Sequence, residues 1–470
     1  MNSPRNGLRM LVACMTGGIA VSATACSVEA LAISSTMSSA ASRVLLASIS
    51  SGSIRTVTTC ADGGAGSLRD QIGASASGDT IDLSGLPGAD AACTNSTITL
   101  TSGAIPITHN LTLLGPKEAT LTIAPTTFQR IFLDTSTDAP TPYLQISYLT
   151  IRDGVNSSGG CISAVGVEVR LNRATVTNCQ TAASAPGRGG AINAQSVVMT
   201  NGSAVTNNRG NICSFPCSGS VRGGGIYASN FSCTDSTISG NYSANSGGGA
   251  FIRGSIGINR CTIESNSLPT AGGSYVFHTG FGGGLAASGI VPNSVVSISQ
   301  STIANNTAAS GTNYGGAVAL YTTSSFSSVT IANSTISGNS SGVRISHGTG
   351  VSIDSSIMAG NASSDLDVHS ETIDLAGAHN LINNLSFTPS SDFNSAAGDP
   401  KFWPIANHGG LTRTLALQDT SPAIGKGSNL ISAATDQRGP GFLREVPVGA
   451  PDIGAFELQV KDDEVFWSGF

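Results

Sequence analysis

The sequence predicts an all-β protein built as a parallel β-helix, with a short helix capping the N-terminal end and a separate segment closing the C-terminal end. Three observations carry this. The stretches ATVTNC (174–179), SAVTNN (203–208), STISGN (236–241), CTIESN (261–266), STIANN (301–306) and STISGN (334–339), with the looser SSIMAGN (355–361), repeat one pattern. Between the copies lie glycine runs that end at Cys161, Ala191, Ile226, Ala250, Leu285 and Ala317, so each repeat has two marked places. Only 11% of residues are charged and 5% aromatic, against 58 Gly. That composition is too poor in large side chains for a thick core, and its Ile and Val are too regularly spaced for disorder.

In each copy Thr and Ile or Val alternate with small polar residues, the period-2 pattern of a short strand with one face buried. The spacing is loose: residues 339 and 361 end copies 22 apart, residues 266 and 306 end copies 40 apart. Helical repeats hold their period more tightly, so the variation reads as loops inserted on a fixed coil. Stacked coils place Ile238, Ile263, Ile303 and Ile336 above one another, each worth roughly 1.5–3 kcal/mol when fully withdrawn from water. Asn208, Asn241, Asn266, Asn306 and Asn339 then stack at a turn, where their side-chain amides form a ladder. Cys179 takes the Asn place in the first copy. Asn also tolerates the left-handed backbone that a sharp turn requires. The glycines supply positive φ at another corner and let stacked backbones approach closely.

The open ends of such a stack need covering. At residues 64–83, Ser67 to Asp70 form a capping-box pattern, with Leu68 and Ile72 on one helical face. Residues 386–458 lose the repeat and gain Pro, Trp and charge, as expected of a distinct closing segment. The resulting division is 1–32 export signal, 55–125 cap and first coils, 126–385 repeats, 386–458 closing segment and 459–470 tail.

Arg5 and Arg9 precede an apolar, small-residue stretch from Met10 to Ala25, the layout of an export signal. Ala-Leu-Ala at 30–32 suits ordinary cleavage, and Cys26 offers a lipoprotein alternative. Without Cys14 and Cys26, eight cysteines remain for an oxidising compartment. Cys60 and Cys93 flank the first folded segment, Cys213 and Cys217 are nearly adjacent, and Cys161/Cys179 and Cys233/Cys261 lie about one repeat apart. These are candidate pairs. No cysteine motif has zinc spacing. The net charge of −6 and the lack of a Lys/Arg cluster argue against a nucleic-acid partner.

The motifs TVTTCADGGAGSLRDQI (56–72), GDPKFWPIANHGGLTRTLALQDTSPAIGKGSN (398–429) and TDQRGPGFLREVPVGAPDIGAFE (435–457) add a family resemblance. With the glycine and asparagine coils, they resemble bacterial secreted right-handed parallel β-helix proteins that carry a choice-of-anchor Q segment. The coil signals are shared with polymorphic outer membrane proteins and pectin-degrading enzymes. The resemblance implies a right-handed, single-stranded, pectate-lyase-like solenoid at the cell surface or secreted, and no settled activity. It covers about residues 55–458. The tail after it reads as a short sorting signal or a frayed terminus, too short to span a membrane.

Enzymes on this fold need paired carboxylates, or carboxylates that hold calcium beside a basic residue. The nearest approach is Arg344 and His347, followed by Asp354, Asp365 and Asp367. Arg344, His347 and Asp367 are therefore the catalytic candidates, and Asp365 and Asp367 the calcium candidates. The Asn-Thr-Asp and Asp-Asp motifs of polygalacturonases are missing. Asp436, Arg438, Arg444, Asp452 and Glu457 form the densest charged group, read as an Arg-carboxylate network holding the closing segment. No nucleophile elbow or phosphate loop occurs. The expectation is an exported, non-enzymatic, adhesin-like protein binding polysaccharide or another surface along its side. The competing expectations are a divergent lyase or hydrolase of acidic polysaccharide, and a purely structural surface filament.

Overall fold

In the coils between residues 143 and 243 the chain runs through three parallel sheets, and one coil shows why. In a computed structural model of the protein, the strand Ile162–Asn172 crosses sheet A, bulging between Ala164 and Glu168. Arg173 turns the chain with φ +50°, Thr175–Thr177 forms sheet B, Asn178 turns it again with φ +60°, and Gln180–Thr181 forms sheet C. The glycine run then returns the chain to sheet A one coil further on. Residues 52–459 are described, except 92, 183–186, 212–220, 270–279, 289–292, 309–314, 322–327, 347–349, 370–372, 390 and 446–448. Every pairing between the named strands is parallel, with sheets A and B joined into thirty strands and sheet C made of four. This is the predicted β-helix. The export signal, Cys26, His347, Cys213, Cys217 and the tail from 460 lie outside the described residues.

The core is a set of columns. Ile238, Ile263, Ile303 and Ile336 are in register on sheet B, and the column continues up to Ile98 and down to Ile382. All are buried. The two roles expected of glycine fall on adjacent residues. Gly189 has φ +65°, whereas Gly190 abuts the next coil so closely that a Cβ would sit 2.0 Å from the Gly224 carbonyl oxygen.

The asparagine ladder is present in full. Nδ2 of Asn208, Asn241, Asn266 and Asn306 donates to Oδ1 of the next member at 2.9–3.0 Å, and Asn339 passes it to Asn361 at 2.9 Å. Asn361, in the loosest copy, is thus a further rung. The left-handed turn residue is not the ladder Asn, as the sequence suggested, but its predecessor: Asn207, Gly240, Ser265, Asn305, Gly338 and Gly360. The ladder side chain points inward to bond its neighbours, so the residue before it makes the turn.

The N-terminal helix spans Leu68–Gly73, with Ser67 Oγ accepting from the Asp70 backbone N–H at 3.2 Å. Leu68 and Ile72 are buried against the first coil. Disulfides join Cys60–Cys93, Cys161–Cys179 and Cys233–Cys261. They place folding of the chain in an oxidising, exported environment. No helix among the described residues is long and apolar enough to cross a membrane.

Two boundaries differ from the sequence reading. The solenoid continues past residue 385, since Phe393–Ala396 pairs in parallel with Asp374–Ile382. The segment that follows lies along the outer flank of sheet B instead of sealing the stack end. Arg413 pairs with Glu264 at 2.9 Å, Asn333 donates to the Ser428 carbonyl at 3.0 Å, and Ala455 N–H donates to Thr335 Oγ1 at 2.9 Å. Its few bridges are antiparallel, such as Phe402–Leu417 and Ala406–Thr414. A second apolar cluster, with Ile357 and Leu381 against Ala416, Leu417, Ile453 and Phe456, fixes it there. The sheet records the coverage. Thr175–Thr177 buries only its middle residue, whereas Thr262–Glu264, Thr302–Ala304 and Thr335–Ser337 bury all three.

Candidate functional site

The predicted site residues separate into two unconnected places. Arg344 and Asp367 are in register on successive coils, with Nη1 to Oδ2 at 3.3 Å, and Asp367 Oδ1 accepts from Ser386 Oγ at 2.6 Å. Asp365 belongs elsewhere. Its Oδ1 accepts from Asn361 Nδ2 at 2.7 Å and from Asn361 N–H at 3.2 Å, and its Oδ2 accepts from Asn384 N–H at 3.0 Å. Burial pushes its pKa up, although those hydrogen bonds oppose the shift. The two calcium candidates therefore face different partners and form no shared ligand set. Asp354 bonds Ser352 Oγ and the Ala378 N–H. Among the described residues no three His, Cys, Asp or Glu side chains come together as a metal group.

The charged residues of the C-terminal segment do converge. Arg438 bonds Asp436 at 2.6 Å and lies between Phe442 and Phe456, 3.9 Å from each ring centroid. Arg444 is fully buried, donates to the Asp452 carbonyl oxygen at 2.7 Å and approaches Glu457 at 3.9 Å. Burial, reinforced by Asp452, pushes the Glu457 pKa up to about 8. Between Asp436 and Arg438, Gln437 reaches outward to sheet B, where its Nε2 donates to Thr262 Oγ1 at 3.0 Å and its Oε1 accepts from Thr302 Oγ1 at 2.5 Å. The network positions that one side chain against the solenoid.

A cleft of about 260 Å³ lies at the turn from sheet B to sheet C, against Cys179 and Asn208 at the start of the asparagine ladder. Asn178, Asn207 and Gly240 form one row along it, and Gln180, Arg209 and Tyr242 the other. The second row is set by parallel register, Gln180 beside Arg209 and Arg209 beside Tyr242. The Arg209 guanidinium lies over the Tyr242 ring, 4.4 Å from its centroid. Burial raises the Tyr242 pKa, so the phenol stays neutral and available as donor or acceptor.

Sequence reasoning missed this site although a signal existed. Gln180, Arg209 and Tyr242 each directly follow the ladder position, at Cys179, Asn208 and Asn241. A solenoid assembles its surfaces from one residue per coil, so a cluster does not show as a run. The same holds for Arg188 and Arg222, which bridge in parallel on successive coils.

No protein-family model matches the chain, and neither a curated protein nor a solved structure matches it significantly.

Proposed function

We propose that this is an exported, non-enzymatic parallel β-helix protein of the bacterial cell envelope or exterior, of the choice-of-anchor Q type, that binds polysaccharide along its flank. The observation that carries the reading is the cleft of Asn178, Gln180, Asn207, Arg209, Gly240 and Tyr242. Amides, a guanidinium and a phenol converge there on three successive coils, a set of forked donors and acceptors beside an aromatic edge. Sugar hydroxyls need such partners, and the parallel coils repeat them along a straight track. The disulfide-stapled scaffold supports function outside the cytoplasm.

The test is incubation of the purified exported chain with a panel of neutral and acidic polysaccharides plus calcium, followed by sizing of the polymers and of the protein. Intact polymer co-migrating with the protein, and loss of co-migration in Tyr242→Ala, is the expected result. Shortened polymer would replace this reading with a lyase or hydrolase. Failure of every polymer to retain the protein would remove it.

A further inference from the structure

The cleft holds a guanidinium that is oriented from two sides and, among the described residues, neutralised from none. Asn211 Oδ1 accepts from Arg209 Nε at 2.6 Å. Asn211 is itself fixed: its N–H donates to Thr181 Oγ1 at 2.8 Å, and its Nδ2 donates to the Thr181 carbonyl at 2.7 Å and to Gln180 Oε1 at 3.1 Å. Tyr242 supports the guanidinium plane. An exposed arginine ordinarily keeps about 2 kcal/mol of rotamer entropy, so such anchoring is costly unless the terminal nitrogens have a task. Those nitrogens, Nη1 and Nη2, meet no carboxylate among the described residues. Arg152, Arg170 and Arg260, by contrast, each face one, at 3.0, 2.6 and 2.7 Å.

The surroundings extend the asymmetry. Residues 171–234 contain Arg173, Arg188, Arg209 and Arg222 and no Asp or Glu, within a chain of net charge −6. Gly190, two residues after Arg188, abuts the backbone of Arg209, and Arg188 bridges to Arg222. The guanidinia of Arg188 and Arg222 lie over the Tyr227 and Phe251 rings of sheet A, 5.2 and 4.9 Å from their centroids. Arg209 is the cation that lines the cleft, within coils rich in arginine, and the nearest carboxylate bonded to its rim is Asp153, which accepts from Asn178 Nδ2 at 2.8 Å.

From this we infer that the cleft binds an acidic glycan, with the carboxylate of a uronate unit held by Nη1 and Nη2 of Arg209 and sugar hydroxyls held by the amide of Asn207 and by Oδ1 of Asn178, whose Nδ2 is taken by Asp153. A carboxylate matches the fork in its plane, which a hydroxyl does not. The inference rests on the polysaccharide reading and names its ligand class.

The experiment uses the full exported chain and three probes: hexuronate oligomers, the same oligomers methyl-esterified, and a single-stranded oligodeoxynucleotide of equal charge. The expected result is binding of the free-acid oligomer that drops about tenfold or more on esterification and on Arg209→Ala, equivalent to about 1.4 kcal/mol. Arg209→Lys should not restore it, because an ammonium lacks the fork. Arg170→Ala, which removes a paired arginine on sheet A, should leave it unchanged, and unaltered melting of each variant checks the fold. Equal binding of free and esterified oligomers, or an unaffected Arg209→Ala, overturns the uronate inference while leaving polysaccharide binding in place. Displacement by the oligodeoxynucleotide at equal charge overturns it in favour of a general polyanion surface. Binding of no oligomer in this assay, together with no retention by any polysaccharide, removes both.

Discussion

Asn361 donates its side-chain amide to Oδ1 of Asp365 at 2.7 Å, and that carboxylate terminates the asparagine ladder. Each ladder Asn must donate forward as well as accept from behind. A carboxylate only accepts, so at the last position it leaves no amide hydrogen stranded in the interior. Its second oxygen takes the Asn384 N–H, which adds the following coil to the same network.

Asp365→Asn places an amide where both partners are donors, and Asp365→Ala leaves them unpaired. Each stranded buried donor costs about 1–3 kcal/mol, so either substitution should lower the urea midpoint clearly. Asn306→Ala should cost more, about 3 kcal/mol or above, because it removes the acceptor of Asn266 and the donor to Asn339 and the Ile263 carbonyl. Urea denaturation of the three variants beside the parent checks the order, and a ladder member that proved silent would contradict it.

The raised pKa of Glu457 makes stability depend on pH. A carboxyl whose folded pKa lies near 8, against an ordinary 4.5, binds more protons folded than unfolded between those values. Stability therefore falls as pH rises from about 4.5 to about 8 and levels off beyond it. Glu457→Gln should flatten the melting temperature across that window. An unchanged slope in the variant would assign the pH dependence to other groups.

Gln437 ties the C-terminal segment to sheet B by bonding Thr262 and Thr302. Gln437→Ala should cost about 2 kcal/mol through the groups it leaves unpaired. The loss should be local, so limited proteolysis ought to release fragments within 397–458 before the coils are cut. Simultaneous cleavage of coils and segment would show that they unfold as one.

Gly190→Ala should be among the most damaging single changes, because its Cβ would meet a backbone oxygen that cannot move without displacing the neighbouring coil. Gly257→Ala has open space around the added methyl and serves as the comparison. Expression yield and melting temperature should separate the two by several degrees or more.

The disulfide between Cys161 and Cys179 closes a loop 18 residues long at the start of the ladder. Loops of this length gain about 3 kcal/mol from closure, so Cys161→Ser with Cys179→Ser should destabilise by about 2–4 kcal/mol. Melting curves with and without reductant report it, and reductant should no longer affect that portion of the loss in the double variant.

The repeat was legible because a stacked coil forces the same residue type into the same place. Ile238 and Ile263 bury the same wall, Asn241 and Asn266 share a hydrogen-bond chain, and Gly189 and Gly223 take the same left-handed corner. Three of the four suggested cysteine pairs lie among the described residues and are bonded. How the candidate site residues group was not legible. Arg344 and Asp367 face each other because their strands are in register, while Asp365, only two residues away, turns inward to the ladder.

The sequence alone determined the architecture of this protein: the β-helix, its core columns, its asparagine ladder, its helix-capped N-terminal end and its oxidising setting. Each of these repeats at intervals the chain displays or depends on neighbouring residues. Only the tertiary structure decided where the C-terminal segment lies and which side chains share a surface. Arg413 meets Glu264 across 149 residues of sequence, and Arg209 meets Tyr242 through an insertion of unrelated length. Contacts of that kind follow from coil stacking and from the docking of one unit on another, and neither leaves a periodic trace in the chain.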